Sequence, residues 1–334
     1  MGIPFKDIVS KREIDFPELK DKKLAFDANN VLYQFLSAIR GPDGKPLTNS
    51  NGKITSHLMG LFSRTTKLMQ YGIKPVFVFD GKPLELKSET RQKRREIKEK
   101  AAEKYAAAKK AGDIDAMKKY AQQTTRLTAD MISEAKELLT YLGIPTVQAL
   151  SDGEAQAARL AIKGEVWAVA SQDYDSLLFG SPLLIRNLTI SQRRKIAGTR
   201  STIQIKPEIV NLTDTLNNHG IDRSALVDAA ILIGTDFNSG IKGVGPKTAL
   251  KVVKEKRMEE YYDLLPRYKE VSELFLKPRL VLDYSLRRGE LQDEKIIDLL
   301  VNKNKFSKSR VEKTLKSLHK SLKANKQSGL ANFI

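Results

Sequence analysis

Three short apolar runs each end in a carboxylate, and this pattern constrains the fold more than any other feature of the chain. Lys23-Leu24-Ala25-Phe26 leads into Asp27, and Pro75-Val76-Phe77-Val78-Phe79 leads into Asp80 and Gly81. The third run, Val166-Trp167-Ala168-Val169-Ala170, leads into Ser171-Gln172-Asp173-Tyr174-Asp175. Runs of this length, rich in β-branched and aromatic residues and separated by helical patterns, predict buried strands of an α/β sheet that is largely parallel. Ligands of such sheets bind beyond the carboxyl ends of the strands, where all three acidic points fall.

Seven carboxylates stand out along the chain: Asp27, Asp80, Asp152, Glu154, Asp173, Asp175 and Asp236. The pairs Asp152/Glu154 and Asp173/Asp175 are spaced i, i+2, which in an extended or tight-turn segment can aim both acids at one centre. The same chain carries 58 Lys+Arg against 40 Asp+Glu, a formal charge of +18. So many converging acids repel one another unless cations sit between them. Oxygen-only ligation selects Mg²⁺ or Mn²⁺. Two such ions about 3.5 to 4 Å apart would activate a water and stabilise the leaving oxygen of an in-line phosphodiester displacement. A lone Asp at a strand end is more often a cap or turn residue than a ligand, so the weight rests on the set.

Excess positive charge most simply implies an anionic polymer partner, because Lys and Arg that neutralise phosphates release condensed counterions. Membrane surfaces and general solubility are the rival explanations. Without cysteine there is no disulfide framework, Cys-ligated zinc or thiolate nucleophile, which fits a reducing compartment. His57, His219 and His319 lie far apart without metal-type spacing and read as solvated or core histidines. No stretch reaches the roughly 18 apolar residues of a membrane span and the N-terminus lacks a signal-peptide run, so a cytoplasmic, soluble protein is expected. A glycosidase would need only two carboxylates and gains nothing from the basic charge. A Walker-type phosphate loop is missing from the sequence.

Between the second and third strands lies a charged block, residues 82–126, with Lys87, Arg91, Lys93, Arg94, Arg95, Lys98 and Lys100 near its start. Its Ala, Lys and Glu content is strongly helical with few large apolar anchors, so it reads either as a helix held away from the body or as an ordinary solvated helix with i,i+4 ion pairs. Residues 128–142 return to amphipathic spacing and predict a helix packed on the sheet. From Leu226 the chain reads helix, then a loop containing Gly243-Val244-Gly245-Pro246-Lys247, then a helix from Thr248. Glycines in such a loop let backbone N–H groups approach a phosphate, with Lys247 adding charge, although glycines also commonly just end helices. Beyond Asn302 the composition turns basic, as expected of a flexible tail.

Taken in order, Phe26-Asp27-Ala28, Val78-Phe79-Asp80-Gly81-Lys82-Pro83, Ser151-Asp152-Gly153-Glu154-Ala155, Ser171-Gln172-Asp173-Tyr174-Asp175 and Gly234-Thr235-Asp236 with its Gly243–Lys247 loop resemble the flap endonuclease family of structure-specific 5′ nucleases, the XPG/Rad2 type, and most of all its archaeal members. The resemblance spans nearly the whole chain. It implies a PIN-like 5′ nuclease fold, with a mostly parallel sheet flanked by helices, a helical arch, and a helix-hairpin-helix element that grips duplex DNA with K⁺. It further implies cleavage of 5′ DNA flaps, with 5′-3′ exonuclease activity, in Okazaki-fragment maturation and base-excision repair. The alternatives are another 5′ nuclease branch acting on bubbles, junctions or 5′ ends, and a non-catalytic DNA-binding clamp adaptor.

By that resemblance, Asp27, Asp80, Asp152 and Glu154 would surround a first Mg²⁺, and Asp173, Asp175 and Asp236 a second, with Mn²⁺ substituting. The family usually has Glu where this sequence has Asp152, and the shorter side chain would reach an ion through water. Lys87 and Arg94 match a basic pair at the base of the arch that stabilises the scissile phosphate. Tyr33 matches an aromatic that stacks a terminal base, or is a packed helix tyrosine; Arg40 and Arg64 match backbone-phosphate contacts, and Gly2 the mature N-terminal residue. Gln327, Leu330, Phe333 and Ile334 of the final octapeptide resemble a box that binds the sliding clamp, proliferating cell nuclear antigen, with Ile334 replacing the usual second aromatic. The implied divisions are an N-terminal nuclease region (1–98), the arch (84–127) and an internal nuclease region (116–258) with the hairpin element at 226–256. A C-terminal helical and basic tail (259–326) and the clamp box (327–334) follow, and a monomer is expected.

Overall fold

The computed structural model describes residues 3–41, 44–190, 193–195 and 202–331. A short edge strand β1 (Lys11–Glu13) precedes β2 (Lys23–Asp27), which turns without a loop into α1 (Ala28–Ala38). Asp27 makes that junction, because its Oδ1 accepts the Asn30 backbone N–H at 3.1 Å and so caps the helix. Helix α2 (Ser56–Gln70) lies against α1 through Gly60, where any Cβ would overlap the Phe35 ring. Next come β3 (Lys74–Phe79) and the helices α3 (Ser88–Ala111) and α4 (Ile114–Gln123), which reverse at Gly112 with φ +70°.

The chain re-enters the body as α5 (Ala129–Tyr141), β4 (Thr146–Gln148), α6 (Gly153–Ile162), β5 (Ala168–Ala170), α7 (Asp175–Leu178) and β6 (Leu183–Arg186). A separate hairpin, β7 (Arg193–Lys195) and β8 (Thr202–Gln204), leads to β9 (Glu208–Asn211). Helices α8 (Leu212–His219), α9 (Arg223–Ile233), α10 (Pro246–Lys254), α11 (Tyr268–Leu276), α12 (Asp293–Ile297) and α13 (Lys308–Ala331) complete it.

Strand order in the seven-stranded sheet is β1-β9-β6-β5-β2-β3-β4. The five strands from β6 to β4 are parallel, and β9 runs antiparallel to both β6 and β1. The expected parallel sheet is therefore present, with an antiparallel edge. From β2 the chain steps outward through β3 to β4, and then returns to the other side of β2 for β5 and β6. Such a reversal leaves a crevice at the carboxyl ends of the central strands.

Alternation along each strand divides the core between the two faces. Ala25, Val76, Val78, Val169 and Leu184 face one layer, with α6, α9, α10 and α11. Leu24, Phe26, Phe77, Phe79 and Ile185 face the other, with α1, α2, α5 and α13.

Three expectations change. The helix anticipated from Thr248 begins at Pro246, because proline's fixed φ suits the first helical position and Gly245 is the N-cap. The third apolar run forms a strand only over Ala168–Ala170. The basic C-terminal segment is no flexible tail. Val311, Leu315 and Leu318 recur at helical spacing and are buried in the α2 face of the core, so α13 is an amphipathic packed helix with Lys313, Lys316, Lys320 and Lys323 outward. Among the described residues no helix is long and apolar enough to cross a membrane.

Candidate active site

Each acid singled out by the sequence is delivered by the end of an element. Asp27 ends β2, Asp80 follows β3, and Asp173 and Asp175 follow β5. Asp152 is the N-cap of α6 and Glu154 lies in its first turn. Asp236 follows α9 after Gly234, whose φ of +110° turns the chain out of the helix. Because β5, β2 and β3 are neighbours, these ends converge. Asp27 is repelled by Asp80, Asp152 and Asp173, and Glu154 by Asp175, Asp27, Asp173 and Asp152. Asp175 in turn feels Asp173 and Asp236, so all seven belong to one electrostatic cluster.

That crowding shows in the protonation equilibria. Burial first, then the charge of Asp80, holds the Asp27 carboxyl well above the usual carboxylate range. Burial and Asp175 do the same for Glu154, and burial and Asp152 raise Asp80. Burial together with Asp173 pushes Asp175 up to about 7. Asp27 and Glu154 are only 7% and 6% exposed. Burying carboxylates together costs stability that a bound cation would restore.

Hydrogen bonds hold the cluster open. Asp80 accepts from Gly153 N–H and from Asn29 Nδ2, both at 2.7 Å. Asp173 accepts from Asn30 Nδ2 at 2.6 Å, Glu154 from Ser171 Oγ at 2.8 Å, and Asp175 from the Ile3 backbone N–H at 3.3 Å. Two cations from the base of α3 complete the ring. Lys87 Nζ donates to Asp152 at 2.5 Å and stands 4.9 Å from the Phe237 ring centroid; Arg94 donates to Asp236 at 2.6 Å. Among the described residues no group of three or more His, Asp or Glu side chains stands in metal-holding geometry. The donor set itself, all oxygen and strongly anionic, fits hard divalent cations.

The remaining expected residues fall as follows. Tyr33 on α1 is 39% exposed, with Lys98 Nζ of α3 5.2 Å from its ring centroid. Arg64 is half-buried on α2. Arg40 is placed otherwise than as a free surface cation: its guanidinium donates to the carbonyls of Ser37 and Gly44 and to Thr125 Oγ1. Gly243 has φ +87° and Lys247 is exposed. Gln327, Leu330, Phe333, Ile334 and Gly2 lie outside the residues whose side chains are described.

Sequence reading overlooked Asn29, Asn30, Ser171, Gly153 and Ile3 as partners of the acids. Two adjacent amides directly after a strand-end Asp were the available signal for the first two. His57, by contrast, is a core histidine as expected, fully buried on α2.

Comparison with known proteins agrees with this arrangement. The XPG N-terminal domain matches residues 1–101 and the XPG I-region residues 143–236. Flap endonuclease 1 of Pyrococcus abyssi (strain GE5 / Orsay) is 48% identical over 342 residues, covering 100% of this chain and 98% of the relative. The chain belongs to the flap endonuclease family. The solved structure of flap endonuclease-1 from Methanococcus jannaschii superposes with a TM-score of 0.78 at 42% identity, covering 97% of this chain and 100% of that one. The catalytic core of Rad2 in complex with DNA substrate gives 0.71 at 25% identity, covering 95% and 100%. Within this flap endonuclease, Asp152 has both oxygens engaged, Oδ1 by the Glu154 N–H at 3.0 Å and Oδ2 by Lys87.

Proposed function

We propose that this flap endonuclease cuts 5′ DNA flaps by Mg²⁺-dependent hydrolysis at the seven-acid cluster, during Okazaki-fragment maturation and base-excision repair. The observation that carries the reading is the convergence of those acids at the carboxyl ends of β2, β3 and β5, ringed by cations of α3. Asp27, Asp80, Asp152 and Glu154 would hold one Mg²⁺ and Asp173, Asp175 and Asp236 the second, with Mn²⁺ as a substitute. Ions bound there would supply an activated water and stabilise the leaving oxygen. Hydrolysis leaves a 5′-phosphate on one product and a 3′-hydroxyl on the other.

The protein's own groups do the rest. Lys87 and Arg94 would hold the non-bridging oxygens of the scissile phosphate and stabilise the charge that develops on them. Tyr33 offers an exposed ring for stacking a base, and α3 with α4 forms the arch that selects a free 5′ end. Arg64 and Arg40 contribute backbone-phosphate contacts, the Arg40 guanidinium being braced by the Ser37 and Gly44 carbonyls and Thr125 Oγ1.

At the hairpin between α9 and α10, Gly245 has an ordinary φ of −98° and nothing within 4 Å of a would-be Cβ. Neither strain nor packing requires glycine there. A bare backbone at a helix N-terminus, beside exposed Lys247 and next to Gly243, suits duplex phosphates, with K⁺ as the accompanying ion. The box at Gln327, Leu330, Phe333 and Ile334 would bind the sliding clamp, the protein acting as a monomer in the cytoplasm, associated with the nucleoid.

The deciding assay is cleavage of a 5′-labelled flap with Mg²⁺ and with EDTA. Metal-dependent product at the flap junction is expected, and its absence would remove the enzyme reading in favour of a DNA-binding clamp adaptor.

A further inference from the structure

Helix α1 opens with two asparagines, and each sends its carboxamide to a different acid of the cluster. Asn29 Nδ2 reaches Asp80 Oδ2 at 2.7 Å, across 51 residues of sequence, and Asn30 Nδ2 reaches Asp173 Oδ2 at 2.6 Å, across 143. The Asn30 backbone N–H goes to Asp27 at 3.1 Å. One dipeptide therefore contacts acids from the ends of three parallel strands. We propose that Asn29 and Asn30 are positioning residues that set the spacing of Asp27, Asp80 and Asp173 for the divalent cations, an inference that rests on the acid cluster being the metal-holding centre.

The physical case is one of charge and shape. Like-charged carboxylates at neighbouring strand ends swing apart unless a donor fixes their rotamers. A lysine in that place would neutralise the cluster and compete with a cation, while a neutral amide supplies an N–H without adding charge. Orientation of the Asn29 carboxamide is also determined: turned over, its oxygen would face Asp80 Oδ2 and repel it. The cost is visible, since Asn29 Oδ1 is buried without a hydrogen-bond partner among the described residues. An unmet buried acceptor is unfavourable in a folded chain, and the amide is held in this orientation against that cost by its Nδ2 donation to Asp80. Asp80 also accepts the Gly153 N–H at 2.7 Å, so Asn29 shares the holding of that carboxylate with the backbone at the start of α6.

Isothermal titration of the full chain with Mg²⁺ alone tests this, alongside flap cleavage kinetics. Groups that orient metal ligands typically change affinity or activity by 10- to 100-fold when removed, so Asn30→Leu and Asn29→Leu are each expected to weaken Mg²⁺ binding about tenfold. Both lower kcat while KM for the flap stays within about twofold, and Asn30→Gln, which keeps a donor, recovers part of the loss. Circular dichroism melts of each variant confirm folding, and if Asn30→Leu does not fold, Asn30→Gln and Asn29→Leu carry the same comparison. Isotherms of the variants that overlay the parent overturn the positioning role. A parent protein that binds no Mg²⁺ overturns instead the reading of the cluster on which it rests.

Discussion

Lys87 Nζ lies 2.5 Å from Asp152 Oδ2, and the other oxygen of the same carboxylate caps α6. One acid thus links the foot of α3 to the start of the helix that carries Glu154. Burial would lower the Lys87 pKa, but Asp152, with Asp80 and Asp236, outweighs it and holds the ammonium above its usual range. The cation remains charged throughout any practical assay pH.

Lys87→Met is expected to reduce kcat about 10²- to 10³-fold, the magnitude typical of losing one preorganised charge-stabilising group, with flap affinity changed only severalfold. Single-turnover cleavage and a binding isotherm in Ca²⁺ check the two halves. Asp152→Asn preserves the α6 cap whereas Asp152→Ala loses it, so their stabilities should differ by about 1 kcal/mol, measured by thermal melts side by side.

Asp173→Asn should abolish cleavage while flap binding, measured by fluorescence anisotropy, stays largely intact. The neutral amide keeps the shape of the side chain but removes a negative donor from the acids proposed to hold the metal ions. A collapse of binding instead would mark the residue as structural.

Gly81→Ala is expected to destabilise the fold by about 1 to 3 kcal/mol or more, seen as a lowered denaturant midpoint. A Cβ at Gly81 collides with the carbonyl oxygens of Ala149 and Leu150, and the Gly81 N–H bonds Ser151 O at 2.7 Å. Since Asp80 precedes this glycine, cleavage should fall with stability.

His57 gives the fold an acid-sensitive point away from the site. Burial, opposed by Glu134 at 3.5 Å, lowers its pKa from 6.5 to about 4. The unfolded chain therefore takes up the proton first as pH falls. Stability from this group is complete above pH 6.5 and declines toward pH 4 by a total on the order of 3 kcal/mol. His57→Gln should flatten that part of the pH–stability curve, as followed by urea denaturation from pH 7.5 to 4.

Removing residues 327–334 should abolish stimulation of cleavage by the sliding clamp and leave unstimulated activity unchanged. Stimulation that survives the truncation would exclude the C-terminal box as the clamp contact.

Much of the site was legible because its acids follow apolar runs at strand ends, so position and chemistry coincide in the linear sequence. Asp27, Asp80, Asp173 and Asp175 are found that way. The partners of those acids were not legible, since a hydrogen bond between Asn30 and Asp173 depends on β2 and β5 being adjacent, which no local pattern states. The partners of Arg40 were hidden for the same reason, since its guanidinium donates to two carbonyls and to the Thr125 hydroxyl, 85 residues away in sequence. The C-terminal segment misled because its lysines dominate composition while Val311, Leu315 and Leu318 decide its packing.

By itself, then, the sequence determined the three central strands β2, β3 and β5, the acids that end them and the chain's basic excess, because periodicity and charge are local properties. Tertiary structure alone decided that β5 and β3 flank β2, bringing seven carboxylates within repulsion of one another, and that Lys87, Arg94, Asn29 and Asn30 stand between them. Which charges meet depends on strand order, and strand order is set by how the helices of both layers bury their apolar faces.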